Sequence, residues 1–482
     1  MTEDDHKHHL GRGFNWLGGA AIIAKVTDFV TIIAVLTYLT KTQMGVGALV
    51  LSIGMVVEAF DGLGTNEALV QAKATSERQL QSLFWFIMAA ALLVGVVAVV
   101  LSPAVGWVYG MAGMPLYFLA LAAKQPLVGA AVIPLALLNR ELKYEKIAAI
   151  NVFATFGAAM VRLAIAVMGG GTWALVGGYF ASGVFILAGA LWARPYWPGW
   201  GFAFPEIRAL VSFGLRSASA NIFEQIFKNI DYLLVGWFYG AAALAVYRVA
   251  FDVVMEPAMA VGTIINRTAL PVFAKLAAAP GQLRDALFWA LRRVASLVAP
   301  LMAGLGLMAM PLMGLLHDAQ GHSYAAAAWP LRILAGAAVL RIASQLITPL
   351  LMGTGQPGKA ARLSFVTLAL LGGLILLAGI TVHGPMGLVA VAGAWLGIYP
   401  FLLGWSVNYL RREWRVSPLA LLKPFAVPGL AVGLMAVFTL GAGMFGDAPW
   451  VRIGAAAVAT GLAYGGLGWQ ARRSRNVPHG TY

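Results

Sequence analysis

Two short stretches place ionisable residues at helical spacing inside otherwise apolar sequence. Glu224, Lys228 and Asp231 fall at i, i+4 and i+7. Arg248, Asp252 and Glu256 fall at i, i+4 and i+8. Each set lies on one face of a helix. Ionised groups at membrane depth are costly unless they pair or face a water-filled cavity. Two such faces on neighbouring helices therefore point to an ion or substrate pathway, and the plainer reading is that they pair off and hold a bundle together. With a turn near Gly240, an antiparallel register puts Asp231 level with Arg248, Lys228 with Asp252, and Glu224 with Glu256. The first two pairings neutralise charge. The third sets two carboxylates side by side, and such a pair shares a proton or binds a cation. The competing arrangement has Glu224 reaching Lys228 on its own helix.

The elements that carry these faces follow from composition. The 482 residues are 60% hydrophobic and 11% charged, whereas a soluble protein is nearer a quarter charged. Repeated apolar runs of membrane-spanning length predict an all-α integral membrane protein with about fourteen spans between residues 14 and 471. The first run is too long for a cleaved signal and is expected to remain as the first span. There is no cysteine, which excludes disulfide and thiol chemistry. His6, His8 and His9 read as a mobile tail rather than a metal site.

Lysine and arginine sort by loop. Lys7 and Arg12 precede the first span, and every second connection is basic: Lys73 and Arg78; Arg140, Lys143 and Lys146; Arg194 and Arg208; Lys275 to Arg293; Lys359 and Arg362; Arg411 to Lys423. The tail adds Arg472, Arg473 and Arg475, and the opposite side carries only Lys41. The net charge of +14 thus reflects topology rather than nucleic-acid binding. The positive-inside rule places both termini and the basic loops in the cytoplasm. No connection is long enough for an extramembrane domain. No phosphate-binding glycine loop, metal motif or nucleophile elbow is present, so no catalytic residue and no cofactor is assigned.

The two halves echo one another. Lys25-Val-Thr-Asp28 and Lys228-Asn-Ile-Asp231 share Lys-x-x-Asp in the helix that opens each block, and the next spans carry Glu58 and Glu256. Two six-helix lobes are expected, residues 1–205 and 206–415, with two further helices and a basic tail over 416–482. That plan suits an alternating-access carrier. Lys25, Lys124, Arg162, Lys228 and Arg248 are the candidates for attracting an anionic or sugar-bearing substrate. Asp28, Glu58, Asp61, Glu224, Asp231, Asp252 and Glu256 are the candidates for proton or sodium coupling, or for ion pairs that switch between states. Prolines within several spans, among them Pro126, Pro134, Pro300 and Pro311, are candidate bending points.

Three segments carry a family resemblance. The first is Gly13-Phe-Asn-Trp16 through Leu36-Thr-Tyr-Leu-Thr40 with Asp61-Gly-Leu-Gly-Thr-Asn-Glu-Ala-Leu-Val-Gln71. The second is Pro134-Leu-Ala-Leu-Leu-Asn-Arg140-Glu-Leu-Lys-Tyr144. The third is Ile230-Asp231-Tyr-Leu-Leu-Val-Gly236-Trp-Phe-Tyr-Gly240 with Leu244-Ala-Val-Tyr247. Together they resemble the polysaccharide-transporter family of MATE-like, Wzx-type lipid-linked oligosaccharide flippases. Leu36-Thr-Tyr38-Leu departs from the Leu-Ala-Arg of many members and lacks their positive charge.

The resemblance implies two six-helix lobes in a V plus two C-terminal helices. It implies movement of polyprenyl-diphosphate-linked oligosaccharide across the bacterial inner membrane for exopolysaccharide, capsule or O-antigen assembly. The implied partners are that lipid, the bilayer, and the polymerase and glycosyltransferases of the pathway. Two rivals stay open. A MATE-type exporter of small organic cations would prefer an acidic cleft, yet basic and acidic residues are equally frequent in these spans. A membrane-embedded polymerase or ligase would need a reactive outer loop, and the outer loops are short.

Overall fold

The computed structural model describes residues 3–65, 68–69, 75–111, 113–414, 417–442 and 448–475. Among these the protein is all-helical. The helices are α1 (Glu3–Leu36), α2 (Lys41–Glu58), α3 (Glu77–Tyr109), α4 (Met114–Arg140), α5 (Tyr144–Val167), α6 (Trp173–Ala193) and α7 (Phe204–Leu276). They continue with α8 (Pro280–Leu315), α9 (Ala328–Gln345), α10 (Ile347–Gly353), α11 (Pro357–Thr381), α12 (Met386–Trp414), α13 (Pro418–Ala442) and α14 (Pro449–Arg475). Among the described residues twelve stretches are long and apolar enough to cross a membrane. One of them, Ile222–Gly262, contains the break at Gly240 and covers two expected spans. The fourteenth expected span corresponds to α14, which is not among the twelve. The chain is a multi-pass membrane protein.

Local sequence sets the helix ends. Thr40 and Gln43 form a capping box at α2: the Gln43 N–H donates to Thr40 Oγ1 at 3.2 Å and the Thr40 N–H donates to Gln43 Oε1 at 3.0 Å. Ser76 and Gln79 repeat it at α3 with 3.1 and 3.0 Å. Each box satisfies two of the amides that a helix N-terminus leaves unpaired. The prolines 126, 134, 300 and 311 lie within α4 and α8, and the breaks fall elsewhere. Gly240 takes φ 79° and ψ 177°, which only glycine adopts without strain, and it divides α7 into arms 204–239 and 241–276. A second break follows α2. Residues Asp61–Gly64 form a 3-10 turn in which Leu63 holds φ 44°, a left-handed value that costs roughly 1–2 kcal/mol.

The chain forms two compact units. One comprises Met1–Ala245 with Asp318–Gln320, and the other Val246–His317 with Gly321–Tyr482. In the first, α5 packs on α6 and α1, and α4 on α3 and α6. Ala154, Ala158 and Ala159 are buried on α5, the small residues through which membrane helices approach closely. In the second, α8 is central, packed by α9, α13 and α14, while α12 packs on α9 and α11.

The connection 194–203 is strapped to α3 rather than free. Trp85 Nε1 donates to the Gly199 carbonyl at 3.1 Å, the Ala203 N–H donates to Ser82 Oγ at 2.9 Å, and Trp85 stacks on Trp200 with centroids 5.0 Å apart. Beside it, Glu141 binds Lys143 at 2.5 Å and Arg194 at 3.1 Å.

Candidate functional site

In the first unit, two ion pairs join separate helices. Lys124 on α4 is buried, and its Nζ donates to the carboxylate of Glu58. Glu58 ends α2, where the helix dipole disfavours a carboxylate, so the ammonium offsets both the dipole and the desolvation of Glu58. The same Nζ stands 3.4 Å from the ring centroid of Tyr179 on α6, a cation–π contact. Glycine at 183 makes room for it: a Cβ there would sit 2.8 Å from Lys124 Cγ. Asp28 on α1 meets Arg162 on α5 at 3.4 Å. Arg162 is well covered, while Asp28 is open on its other side. Lys25 lies exposed one turn before Asp28. The Asp61 side chain lies outside the described residues, as do those of His6, His8 and His9.

Along α7 two ion pairs each lie within one arm. In the first arm Glu224 reaches Lys228 on its own helix at 2.6 Å, with both side chains about half exposed. Asp231 is fully buried, and its Oδ1 accepts the Tyr232 N–H at 2.9 Å. In the second arm Arg248 Nε bonds Asp252 Oδ2 at 3.2 Å, with side-chain exposures of 10% and 17%. Glu256 is half-buried one turn further on. Each sequence-chosen residue with a described side chain is thus placed, and eight of them meet in four acid–base pairs: Glu58–Lys124, Asp28–Arg162, Glu224–Lys228 and Arg248–Asp252.

The second unit holds features that spacing did not reveal. A cavity of about 1100 Å³ opens among α8, α9, α13 and α14. Met302, Met310, Phe425 and Leu440 represent its apolar wall, and Arg332 and Arg452 are its charged lining residues. Arg332 donates to the Gly306 carbonyl at 3.3 Å and stacks on Trp329 at 5.0 Å. On another face of α9, Arg341 lies over Trp395 of α12 at 4.6 Å. Trp395 Nε1 donates to the Tyr247 hydroxyl at 3.0 Å. Residues 54 and 148 positions apart meet here, and no local period announces such contacts. The available signal was arginine and tryptophan at span depth. Among the described residues no cluster of three His, Cys, Asp or Glu could hold a metal ion.

The chain is similar to known proteins in sequence and in fold. The teichuronic acid biosynthesis protein TuaB of Bacillus subtilis is 26% identical over 385 residues, covering 78% of this chain and 77% of that protein. The succinoglycan biosynthesis transport protein ExoT of Rhizobium meliloti is 23% identical over 329 residues, 68% of this chain and 66% of that one. Among solved structures, lipid II flippase MurJ in an inward closed conformation superposes with a TM-score of 0.71 at 13% identity, covering 94% of this chain and 98% of that one. An inward-facing MATE-family multidrug resistance transporter gives 0.66 at 15%, covering 81% and 96%. These likenesses establish the helical fold. A family profile described as polysaccharide biosynthesis protein matches residues 36–325, more than half the chain, and the chain belongs to that family.

Proposed function

We propose that this protein is a flippase that moves polyprenyl-diphosphate-linked oligosaccharide across the bacterial inner membrane for exopolysaccharide, capsule or O-antigen assembly. It acts by alternating access coupled to protons or sodium, with both termini cytoplasmic, and it is a carrier rather than an enzyme. The lobes are residues 1–205 and 206–415, with 416–482 appended. The observation that carries this reading is the set of basic side chains at membrane depth in a member of a polysaccharide biosynthesis family. Family membership supplies the saccharide, and cations in low dielectric supply attraction for its diphosphate.

Lys25, Lys124, Arg162, Lys228 and Arg248 attract the head group. Asp28, Glu58, Asp61, Glu224, Asp231, Asp252 and Glu256 exchange partners or bind the coupling ion. Paired charges suit this work, because a phosphate that takes a cation frees the carboxylate for a proton or sodium. The apolar cavity of the second unit suits the hydrocarbon chain, with Arg332 and Arg452 answering its anionic end. Polymerase and glycosyltransferases of the same pathway are the expected partners. Lys25→Ala and Arg248→Ala should each fail to complement a flippase-deficient strain while inserting at wild-type levels. Full complementation by both would refute phosphate attraction. Transport of organic cations, with no saccharide flipping, would favour a MATE-type exporter.

A further inference from the structure

Among the described residues three basic side chains are buried: Lys124, Arg248 and Arg341. Glu58 answers Lys124 and Asp252 answers Arg248. Arg341 is different. It is 8% exposed, and its guanidinium meets the Trp395 ring at 4.6 Å and the Met255 sulphur at 3.8 Å. A ring face and a thioether carry no net charge, and a thioether is a weak acceptor. Among the described residues no carboxylate pairs with Arg341.

Keeping a cation in low dielectric without a counter-charge is strongly unfavourable. Packing alone would be served better here by methionine or leucine, which fill similar space without charge. The surroundings instead fix the fork. Trp395 is 1% exposed and tied by its Nε1–H to Tyr247, itself fully buried. A ring held in this way sets the plane of the guanidinium, and a planar fork of N–H donors matches a two-oxygen acceptor edge. Arg332 on the same helix is also stacked on a tryptophan, Trp329, but gives its Nε–H to a carbonyl.

We propose that Arg341 is an oxyanion-recognition residue for the transported head group, binding a phosphate or a sugar carboxylate in the state of the cycle that reaches it. The inference rests on the flippase reading and adds a recognition residue outside the acid–base pairs. The test uses the full-length protein in detergent with two probes, farnesyl diphosphate and glucuronate, read by calorimetric binding and thermal shift. Wild-type protein should bind at least one, and the probe bound identifies the source of the oxyanion. Arg341→Met should bind that probe at least tenfold more weakly. Arg341→Lys, which keeps the charge but loses the fork, should fall between.

Wild-type affinity in Arg341→Met would overturn the proposal, even if the unliganded variant melts lower, because that pattern is packing alone. Wild-type protein that binds neither probe would overturn it as well. If Arg341→Met does not fold, Arg341→Lys decides: unchanged affinity refutes recognition by the fork. Flipping of lipid-linked oligosaccharide by wild-type protein from the same preparation separates the two levels. Flipping with an indifferent Arg341→Met sinks this inference alone, and no flipping sinks the proposed function with it.

Discussion

The two units handle their covered intramembrane cations differently. In the first, Glu58–Lys124 and Asp28–Arg162 each join two helices far apart in sequence, while the half-exposed Glu224–Lys228 pair stays on one helix. In the second, Arg248 pairs with Asp252 one turn along its own helix, and Arg332 and Arg341 rest on tryptophan faces. A carboxylate neutralises a cation and fixes the helices that carry the pair. An aromatic face holds a cation in place for about 2 kcal/mol or less and leaves its net charge in force. The first arrangement is suited to a switch, whose partners must separate before a ligand or ion enters. The second is suited to standing recognition of an anion.

The largest effect should come from Lys124→Met. It leaves the partly covered Glu58 carboxylate at a helix C-terminus without its cation, a loss below the roughly 3–5 kcal/mol that breaking a fully buried pair costs. Thermal unfolding should show a large drop that Lys124→Met with Glu58→Gln recovers in good part. A double variant as unstable as the single one would mean that the pair does not couple α2 to α4.

Next in size is Glu256→Gln. The half-buried Glu256 lies beyond the Arg248–Asp252 pair and is a proposed coupling carboxylate. Its amide should retain flipping but lose the dependence on pH and sodium. A variant that keeps the wild-type dependence removes Glu256 from the coupling set.

Asp28→Asn should be milder. The Asp28 side chain is 41% exposed, and exposed pairs contribute about 0.2–1 kcal/mol. A loss as large as that of Lys124→Met would show that both pairs in this unit are structural.

The smallest effect lies outside the membrane, at Glu141. The hydrogen bond from Lys143, the largest effect, together with the charges of Arg194, Lys143 and Lys146, holds its carboxyl below the ordinary 4.5 against an opposing effect of burial second only to that hydrogen bond. A carboxyl lowered in the folded state stabilises above its ordinary value, and that stability is lost as pH falls through the lowered one. Glu141→Gln should therefore melt slightly lower at neutral pH and converge with wild type in acid. Parallel melting curves at every pH would contradict the assignment.

How much of this was legible in sequence depends on range. Gly240 between two charged faces announced the break in α7, and the i, i+4 spacing offered Glu224–Lys228 as the arrangement competing with a glutamate pair, whereas Arg248 was set level with Asp231 and its bond to Asp252 was not singled out. The Asp61-Gly62-Leu63-Gly64 break was hidden inside an apolar run read as one span, since hydropathy is blind to backbone angles. Glu58 and Lys124 were both chosen as site residues, but their pairing spans sixty-six positions and depends on how α2 packs near α4. Tyr179 under Lys124 and Trp395 under Arg341 were missed for the same reason. An aromatic that supports a cation looks in sequence like any other apolar residue of a span.

The most direct test of the account is flipping by the purified protein. Proteoliposomes would carry a fluorescent polyprenyl-diphosphate oligosaccharide in both leaflets, and an impermeant quencher would be added outside. The account predicts that wild-type protein exposes the inner-leaflet label to the quencher, faster under an imposed proton or sodium gradient, and that Arg248→Ala slows this exposure. Inner-leaflet label that stays protected with correctly inserted wild-type protein, as in protein-free vesicles, would contradict it.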